Sequence, residues 1–212
     1  MIERECPVIN LPIDYKLIGE AVEFYKSYGY EYIELDWMVD PQCGYATYAK
    51  EGAQYRTQSS KGFAKHLVES AEQGFIQAVK DGKVEWDKKY VSVTPCFRRG
   101  DIGPVNNEWF MKVELNAVSD HDENIHEIML DHAWKFFAWN GGVLDDMQLY
   151  KETPSSPNSD IVHVYHSEDW GWLELGSYGY REVPFLARQL QKDKVLIHYG
   201  TGLALPRFQL IL

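Results

Sequence analysis

Apolar residues recur at helical spacing in some stretches and crowd into β-forming runs in others, and this alternation divides the chain into elements. Ile13 to Tyr28 sets Leu17, Ile18, Ala21, Val22, Phe24 and Tyr25 on one stripe closed by Gly29, which predicts a helix. Tyr30 to Val39 is rich in β-formers and stops at Asp40-Pro41, which predicts one long strand. Gln42 to Gly62, rich in Gly, Ala, Tyr and Gln, reads as an irregular loop over a site. Phe63 to Lys80 reads as a second helical region, broken near Glu69-Ser70. Trp86 to Phe97 and Glu108 to Ala117 are strand-like, and the turn-rich Arg98 to Pro104 between them makes a hairpin. Asn124 to Trp139 repeats apolar residues through Ile125, Ile128, Met129, Ala133, Phe136 and Phe137, an amphipathic helix stopped by Asn140-Gly141-Gly142. Pro154 to Ser159 is a surface loop; strands follow at Ile161 to His166 and Trp172 to Leu175, then a helix around Pro184 to Gln191. The last segment, His198 to Arg207, carries Gly200, Gly202 and Ala204 at every second position, and reads as a glycine turn leading into a helix.

A chain of 212 residues with 45% hydrophobic content buries one sizeable core, so a single domain over 1–212 is expected. The formal charge of −11 supplies no broad positive surface, which argues against tRNA or other nucleic acid as a partner. No apolar run reaches membrane-spanning length and the N-terminus lacks the form of a signal peptide, so a cytoplasmic protein without a membrane partner is expected. Cys6, Cys43 and Cys96 are odd in number and far apart, which points to reduced thiols rather than a disulfide framework or a zinc site. His163 and His166 have metal-like spacing only on a helix; in the expected strand their rings face opposite sides. Neither a Walker-type loop nor a Gly-x-Ser-x-Gly elbow is present.

The candidate chemistry is that of a nucleotide polyphosphate. Glycines at 200 and 202 let a main chain approach an anion closely, and the planar guanidinium of Arg207 binds phosphate oxygens in pairs. Arg98 or Arg99, on the hairpin, suits an α-phosphate and an attacking carboxylate together. Phe110 offers a face for adenine, or else it turns into the core; its neighbour Trp109 takes the other side. Glu114 and Glu174 are oxygen ligands suited to magnesium, and Glu174, between Leu173 and Leu175, points either to solvent or to a site.

Three motifs in this order resemble the class II aminoacyl-tRNA synthetase catalytic core: a helix with a long strand, a strand-loop-strand with arginines and a distal carboxylate, and a Gly-x-Gly segment with an arginine. Phe97-Arg98-Arg99 with Phe110-Met111-Lys112-Val113-Glu114 is similar to the family's second motif, and Gly200 to Arg207 to its third. Leu173 to Arg181, followed by Phe185 to Leu190, is similar to the ammonia-dependent asparagine synthetase, although Gly176 and Tyr178 depart from its usual run. Leu67 to Glu72 resembles the Thr-Ala-Glu loop that holds a substrate's amino group in some class II enzymes.

The resemblance implies an α+β fold, a mixed and mostly antiparallel sheet flanked by helices, without an anticodon-binding domain. It implies ATP and Mg2+ as cofactors, with Asp101, Phe110, Glu114, Glu174, Ser177, Gly200, Gly202 and Arg207 at the nucleotide and Ser70, Glu72 and Arg181 at the substrate. The implied reaction is activation of a small amino acid or related carboxylate as its adenylate, the acceptor being open between amidation and ligation. An aspartate-like substrate is one option, and a homodimer is implied. Departures from the pattern, Asp36 in place of the first-motif proline and an acid at Asp101 that matches only if Arg99 is the motif arginine, support a rival: a catalytically idle paralogue that binds a nucleotide, an amino acid or a partner chain.

Overall fold

The Asp14 carboxylate accepts a hydrogen bond from the Leu17 amide at 3.0 Å, supplying one of the acceptors that a helix start lacks. The helix it opens, α1 (Tyr15–Ser27), buries Leu17, Ile18, Ala21 and Tyr25, and the chain leaves through Gly29 at φ 83°, a left-handed conformation that suits a residue without Cβ. The computed structural model describes residues 11–47, 54–58, 64–99, 103, 105–121, 124–141, 147–151, 161–167 and 169–212. After α1 come β1 (Glu31–Tyr32), β2 (Met38–Val39), α2 (Pro41–Gly44), β3 (Arg56–Gln58), β4 (Ala64–Leu67) and α3 (Ala71–Lys80). The hairpin β5 (Lys89–Phe97) and β6 (Trp109–Ser119) leads to α4 (Ile125–Gly141), then β7 (Met147–Lys151), β8 (Ile161–Ser167), β9 (Gly171–Glu182), α5 (Pro184–Leu190) and β10 (Leu196–Leu205), with a 3-10 helix at Arg207–Ile211.

The main sheet has seven strands in the order β1-β5-β6-β10-β9-β8-β7, antiparallel except where β1 joins β5; β2, β4 and β3 form a smaller antiparallel sheet. Helices cover both faces of the main sheet. Along β6, Val113, Leu115 and Ala117 pack with buried residues of α1 and α4, while Val118 packs with Phe75 and Ile76 of α3 and Leu186 of α5. Since side chains alternate along a strand, Lys112, Glu114 and Asn116 lie on the α3 face. The sheet thus has one mostly apolar face, which also takes in the buried His163 beside Trp134 and Phe137, and one face that is apolar under α3 and α5 and polar beyond them.

Three expectations are corrected. Tyr30 to Val39 is not one strand: Glu31–Tyr32 pairs with β5, the chain then crosses to the smaller sheet at Met38–Val39, and Leu35 between them is buried against α3. Gly74 of α3 makes room for this crossing, because a Cβ there would lie 2.9 Å from the Asp36 carbonyl oxygen and 3.2 Å from Leu35 Cβ. Phe63 to Lys80 is half strand and half helix, and the break at Glu69-Ser70 is the N-cap of α3, where Ser70 Oγ accepts from the Glu72 amide. The described parts of Gln42 to Gly62 include α2 and β3 as well as irregular chain. Asp101 and the Pro154 to Ser159 loop lie outside the described residues.

The largest correction concerns the last segment. Gly200 and Gly202 sit inside the ten-residue strand β10, paired with β6 and β9, and form no turn. Their missing side chains make space on the apolar face. A Cβ at 200 would lie 2.8 Å from Tyr178 Cδ1 and 3.0 Å from Met129 Cβ, and one at 202 would lie 2.7 Å from Tyr25 Cε2. Tyr25, fully buried, donates its hydroxyl to the Gly202 carbonyl at 2.8 Å. The two glycines therefore seat α1 and α4 against the sheet.

Candidate active site

A cleft of about 500 Å³ opens on the α3 face of the sheet, and residues from four separate segments line it: Arg98, Phe110, Glu174 and Arg207 among them. Arg98, just past the end of β5, is exposed; its Nε donates to the Glu69 carbonyl at 3.4 Å and its guanidinium lies 4.9 Å from the centre of the Phe110 ring. Arg99 is exposed and does not line the cleft, so of the two hairpin arginines Arg98 is the one at the site. Phe110 lines the cleft beside it, and Trp109, on the other side of the strand, is 49% exposed. The expectation that one of these two aromatics enters the core is not met, because both sit at the loop end of the hairpin, where Trp109 pairs with Phe97.

Arg207 begins the 3-10 helix after β10, and the buried Phe208 that follows anchors it. Its Nε donates to the Val105 carbonyl at 3.3 Å and its Nη1 to the Glu174 carbonyl at 3.0 Å, while Nη2 is held by Asn106 Oδ1. Burial lowers its pKa, with the Glu174 carboxylate opposing and Arg98 assisting. Three fixed partners lock the guanidinium plane in place before any ligand arrives. The Glu174 side chain is exposed on the cleft face, since its neighbours Leu173 and Leu175 both enter the core.

Further in, the charges are paired with one another. Glu114 has no exposed surface; Lys112 Nζ bridges its Oε1 at 3.0 Å and Oε2 at 2.8 Å, and Ser70 Oγ donates to Oε2 at 3.3 Å. Burial pushes the Glu114 carboxyl above its ordinary range, against the pull of Lys112 and Ser70. Glu72, in the first turn of α3, is ion-paired with Arg181 Nε at 2.8 Å, and the Arg181 guanidinium lies 5.0 Å from the centre of the Tyr199 ring. Ser70, Glu72 and Arg181 thus lie near one another on the sheet's polar face, and none of the three lines the cleft. Ser177 lines the cleft, with its amide donating to Thr201 Oγ1 at 3.3 Å.

Two assignments change. Gly200 and Gly202 do not line the cleft; they face the helices on the opposite side of the sheet. Glu114 is not placed to share a cation with Glu174, because its carboxylate is sealed from the cleft and already holds an ammonium group. Among the described residues no three His, Cys, Asp or Glu side chains gather as a metal site. Glu174 alone, exposed beside the arginines, fits magnesium, which usually takes one or two carboxylates and completes its shell with phosphate oxygens and water. Cys43 and Cys96 are buried, and burial raises their thiols to about 11 and about 12, so neither is a nucleophile at neutral pH.

Residues that the motif reading passed over also contribute. Asn106, Asn107, Lys112 and Thr201, to which the sequence assigned no role, all line the cleft. Strand alternation gave a signal for Lys112: it shares a face with Glu114, two residues on.

Comparison with solved structures adds the fold. The chain superposes on the cytoplasmic serine-tRNA ligase of Naegleria fowleri, a complex with AMP, with a TM-score of 0.70 and 16% identity over 91% of this chain and 46% of that one. The seryl-tRNA synthetase of Pyrococcus horikoshii, complexed with ATP, matches with a TM-score of 0.65 and 17% identity over 93% of this chain and 49% of that one. The fold is that of a class II aminoacyl-tRNA synthetase catalytic core. A pyrrolysyl tRNA synthetase from Desulfitobacterium hafniense matches as well, at a TM-score of 0.66 and 15% identity over 93% of this chain and 68% of that one. The chain spans about half the length of the two seryl enzymes. No family model matches it, and no curated protein matches it by sequence. The likeness to ammonia-dependent asparagine synthetase rests on the sequence segment alone.

Proposed function

We propose that this cleft binds ATP with magnesium and activates a small amino acid, or a related carboxylate, as its adenylate. The observation that carries the reading is the convergence of Arg98, Phe110, Glu174 and Arg207 on one cleft from the β5–β6 hairpin, β9 and the 3-10 helix after β10. Complexes of neighbours with the same fold hold AMP and ATP, which supports the reading. Adenine stacks on Phe110, a contact worth about 0.5–2 kcal/mol when a guanidinium shares the ring. Arg207, already rigid, binds phosphate oxygens. Arg98, the more exposed of the two, spans the α-phosphate and the substrate carboxylate.

The reaction needs no general base, since an amino-acid carboxylate is ionised at neutral pH. One carboxylate oxygen bonds to the α-phosphorus as the bond from that phosphorus to the bridging β-phosphate oxygen breaks, and pyrophosphate leaves with the electron pair. The side chains hold the two anions in line and stabilise the charge on the equatorial oxygens. Magnesium on Glu174 and the phosphates would offset repulsion between the two anions. The substrate's ammonium group is met by Glu72, next to the Ser70 cap. The acceptor of the activated acyl group stays open between ammonia and another nucleophile, and association as a homodimer in the cytoplasm completes the proposal.

Purified protein is expected to exchange labelled pyrophosphate into ATP only when its cognate amino acid is present. Arg207→Ala is expected to weaken ATP binding roughly ten- to a hundredfold by calorimetry, the loss of a charge-assisted pair; unchanged affinity would remove Arg207 from the site. The enclosure of Glu114 and Glu72 by cations favours a second reading, a binding protein of the same fold without turnover. ATP binding without exchange, for any amino acid, would establish that one.

A further inference from the structure

Arg207 differs from two other cations of the polar face in what holds it. Lys112 and Arg181 are each matched by a carboxylate, Glu114 and Glu72, so their charge is cancelled within the protein. Arg207 is held instead by three oxygens that carry no charge: the carbonyls of Val105 and Glu174 and the side-chain amide of Asn106. Hydrogen bonds to neutral dipoles offset the cost of burying a guanidinium without cancelling its charge, which stays available to an anion.

The contacts also select an edge of the fork. Val105 and Asn106, neighbours in the chain, take Nε and Nη2, the two nitrogens along one side of the plane, while Glu174 takes Nη1. Of the guanidinium's donors, these contacts leave one N–H on each terminal nitrogen. Such a pair meets two oxygens of a single phosphate group. The residues that hold the edge are themselves fixed. Val105 packs against the apolar core, and the backbones of Gly103 and Asn106 exchange hydrogen bonds, amide to carbonyl in each direction, at 2.9 and 3.2 Å. The Asn106 side chain thus leaves a closed turn toward the cleft, which both it and Arg207 line.

We infer that Asn106 is a positioning residue: its amide oxygen turns the Arg207 guanidinium so that one phosphate beyond the α-phosphate meets the open end of the fork. The inference rests on the nucleotide half of the proposed function, in which Arg98 takes the α-phosphate. Charge explains why an amide suits this place. A carboxylate at 106 would reach the same nitrogen, but it would pair with the guanidinium and weaken its pull on phosphate.

The test is calorimetric titration of ATP and of AMP, each with magnesium, into the full chain and its variants. Asn106→Ala is expected to weaken ATP binding roughly three- to tenfold, the range for one hydrogen bond, and to leave AMP binding unchanged, since AMP lacks the phosphates that Arg207 would meet. Asn106→Asp, similar in size and equally suited to a turn, is expected to weaken ATP binding at least as much. In an Arg207→Ala background, Asn106→Ala is expected to add no further loss, because the residue acts through that arginine. ATP binding at the parent level in either variant at 106, an equal loss for AMP, or a further loss in the Arg207→Ala background overturns the inference. Each of those results leaves the proposed function standing as long as the parent chain binds ATP and exchanges pyrophosphate, whereas a parent chain that does not bind ATP removes both.

Discussion

The mouth of the cleft and the charged pairs behind it are built from similar residues and behave in opposite ways. At the outer end Arg98 and Glu174 are exposed and Arg207 is fixed by neutral oxygens, so three charged groups face the opening and none of them is ion-paired among the described residues. Behind them Lys112, which lines the cleft, pairs with the buried Glu114, and the half-buried Arg181 pairs with the buried Glu72. The outer charges are available to a multiply charged ligand, while the inner ones hold shape and present donors and acceptors of no net charge. An inventory of charged residues does not distinguish these states; burial and pairing do.

The largest expected effect comes from breaking the inner balance. Glu114→Ala leaves a buried ammonium without its partner and is expected to lower stability by about 3–5 kcal/mol in urea unfolding, whereas the paired change Glu114→Leu with Lys112→Met should recover much of that loss. Recovery would show the pair to be self-contained; its absence would mean that neighbours such as Ser70 depend on it. Next in size, Gly202→Ala is expected to destabilise by about 1–3 kcal/mol, because Tyr25 must move from its place on the apolar face. The folded variant should bind ATP as before, and weakened binding would return Gly202 to the site.

Phe110→Ala is expected to weaken ATP binding by about 0.5–2 kcal/mol, and Arg99→Ala to leave it unchanged; the reverse order would assign the hairpin arginine wrongly. The smallest effects concern pH. Hydrogen bonds from Lys65 and Lys80 lower the exposed-end Asp40 from 3.8 to about 2. An acid with a lowered folded pKa stabilises the fold at neutral pH and loses that contribution as pH falls from near 4 toward 2. Glu114 runs the other way: its raised pKa means that stability declines as pH climbs through the elevated value. Unfolding of Asp40→Asn should therefore lose the acid limb seen in the parent protein, while Glu114→Gln should flatten the limb at higher pH.

The hairpin of β5 and β6, α1, α4 and α5 were legible because each repeats one period for long enough to outweigh local exceptions. Tyr30 to Val39 was not, since its β-forming residues include Tyr32, Trp37 and Met38, which end up exposed, and tertiary contacts of Leu35 bend the path. The Gly200-Thr201-Gly202 segment misled for a related reason. Glycine signals only that a Cβ is unwelcome, and the reason here is the packing of Tyr25, Met129 and Tyr178 rather than a turn or an anion. Arg98, Phe110, Glu174 and Arg207 were readable as candidates from residue type and spacing and Ser177 from the family resemblance, whereas Asn106 and Thr201 carried no local mark that separated them from ordinary strand and turn residues.

Sequence by itself determined many of the segments that are helix or strand and which arginines and carboxylates had the chemistry for a nucleotide, because periodicity and functional groups are local properties. Tertiary structure alone decided that Arg98 rather than Arg99 enters the cleft, that the glycines serve the opposite face, and that Glu114 belongs to Lys112 rather than to a metal. Those outcomes depend on which face of a strand a side chain takes and on what lies across the sheet, and strand register is set by contacts between residues far apart in the chain.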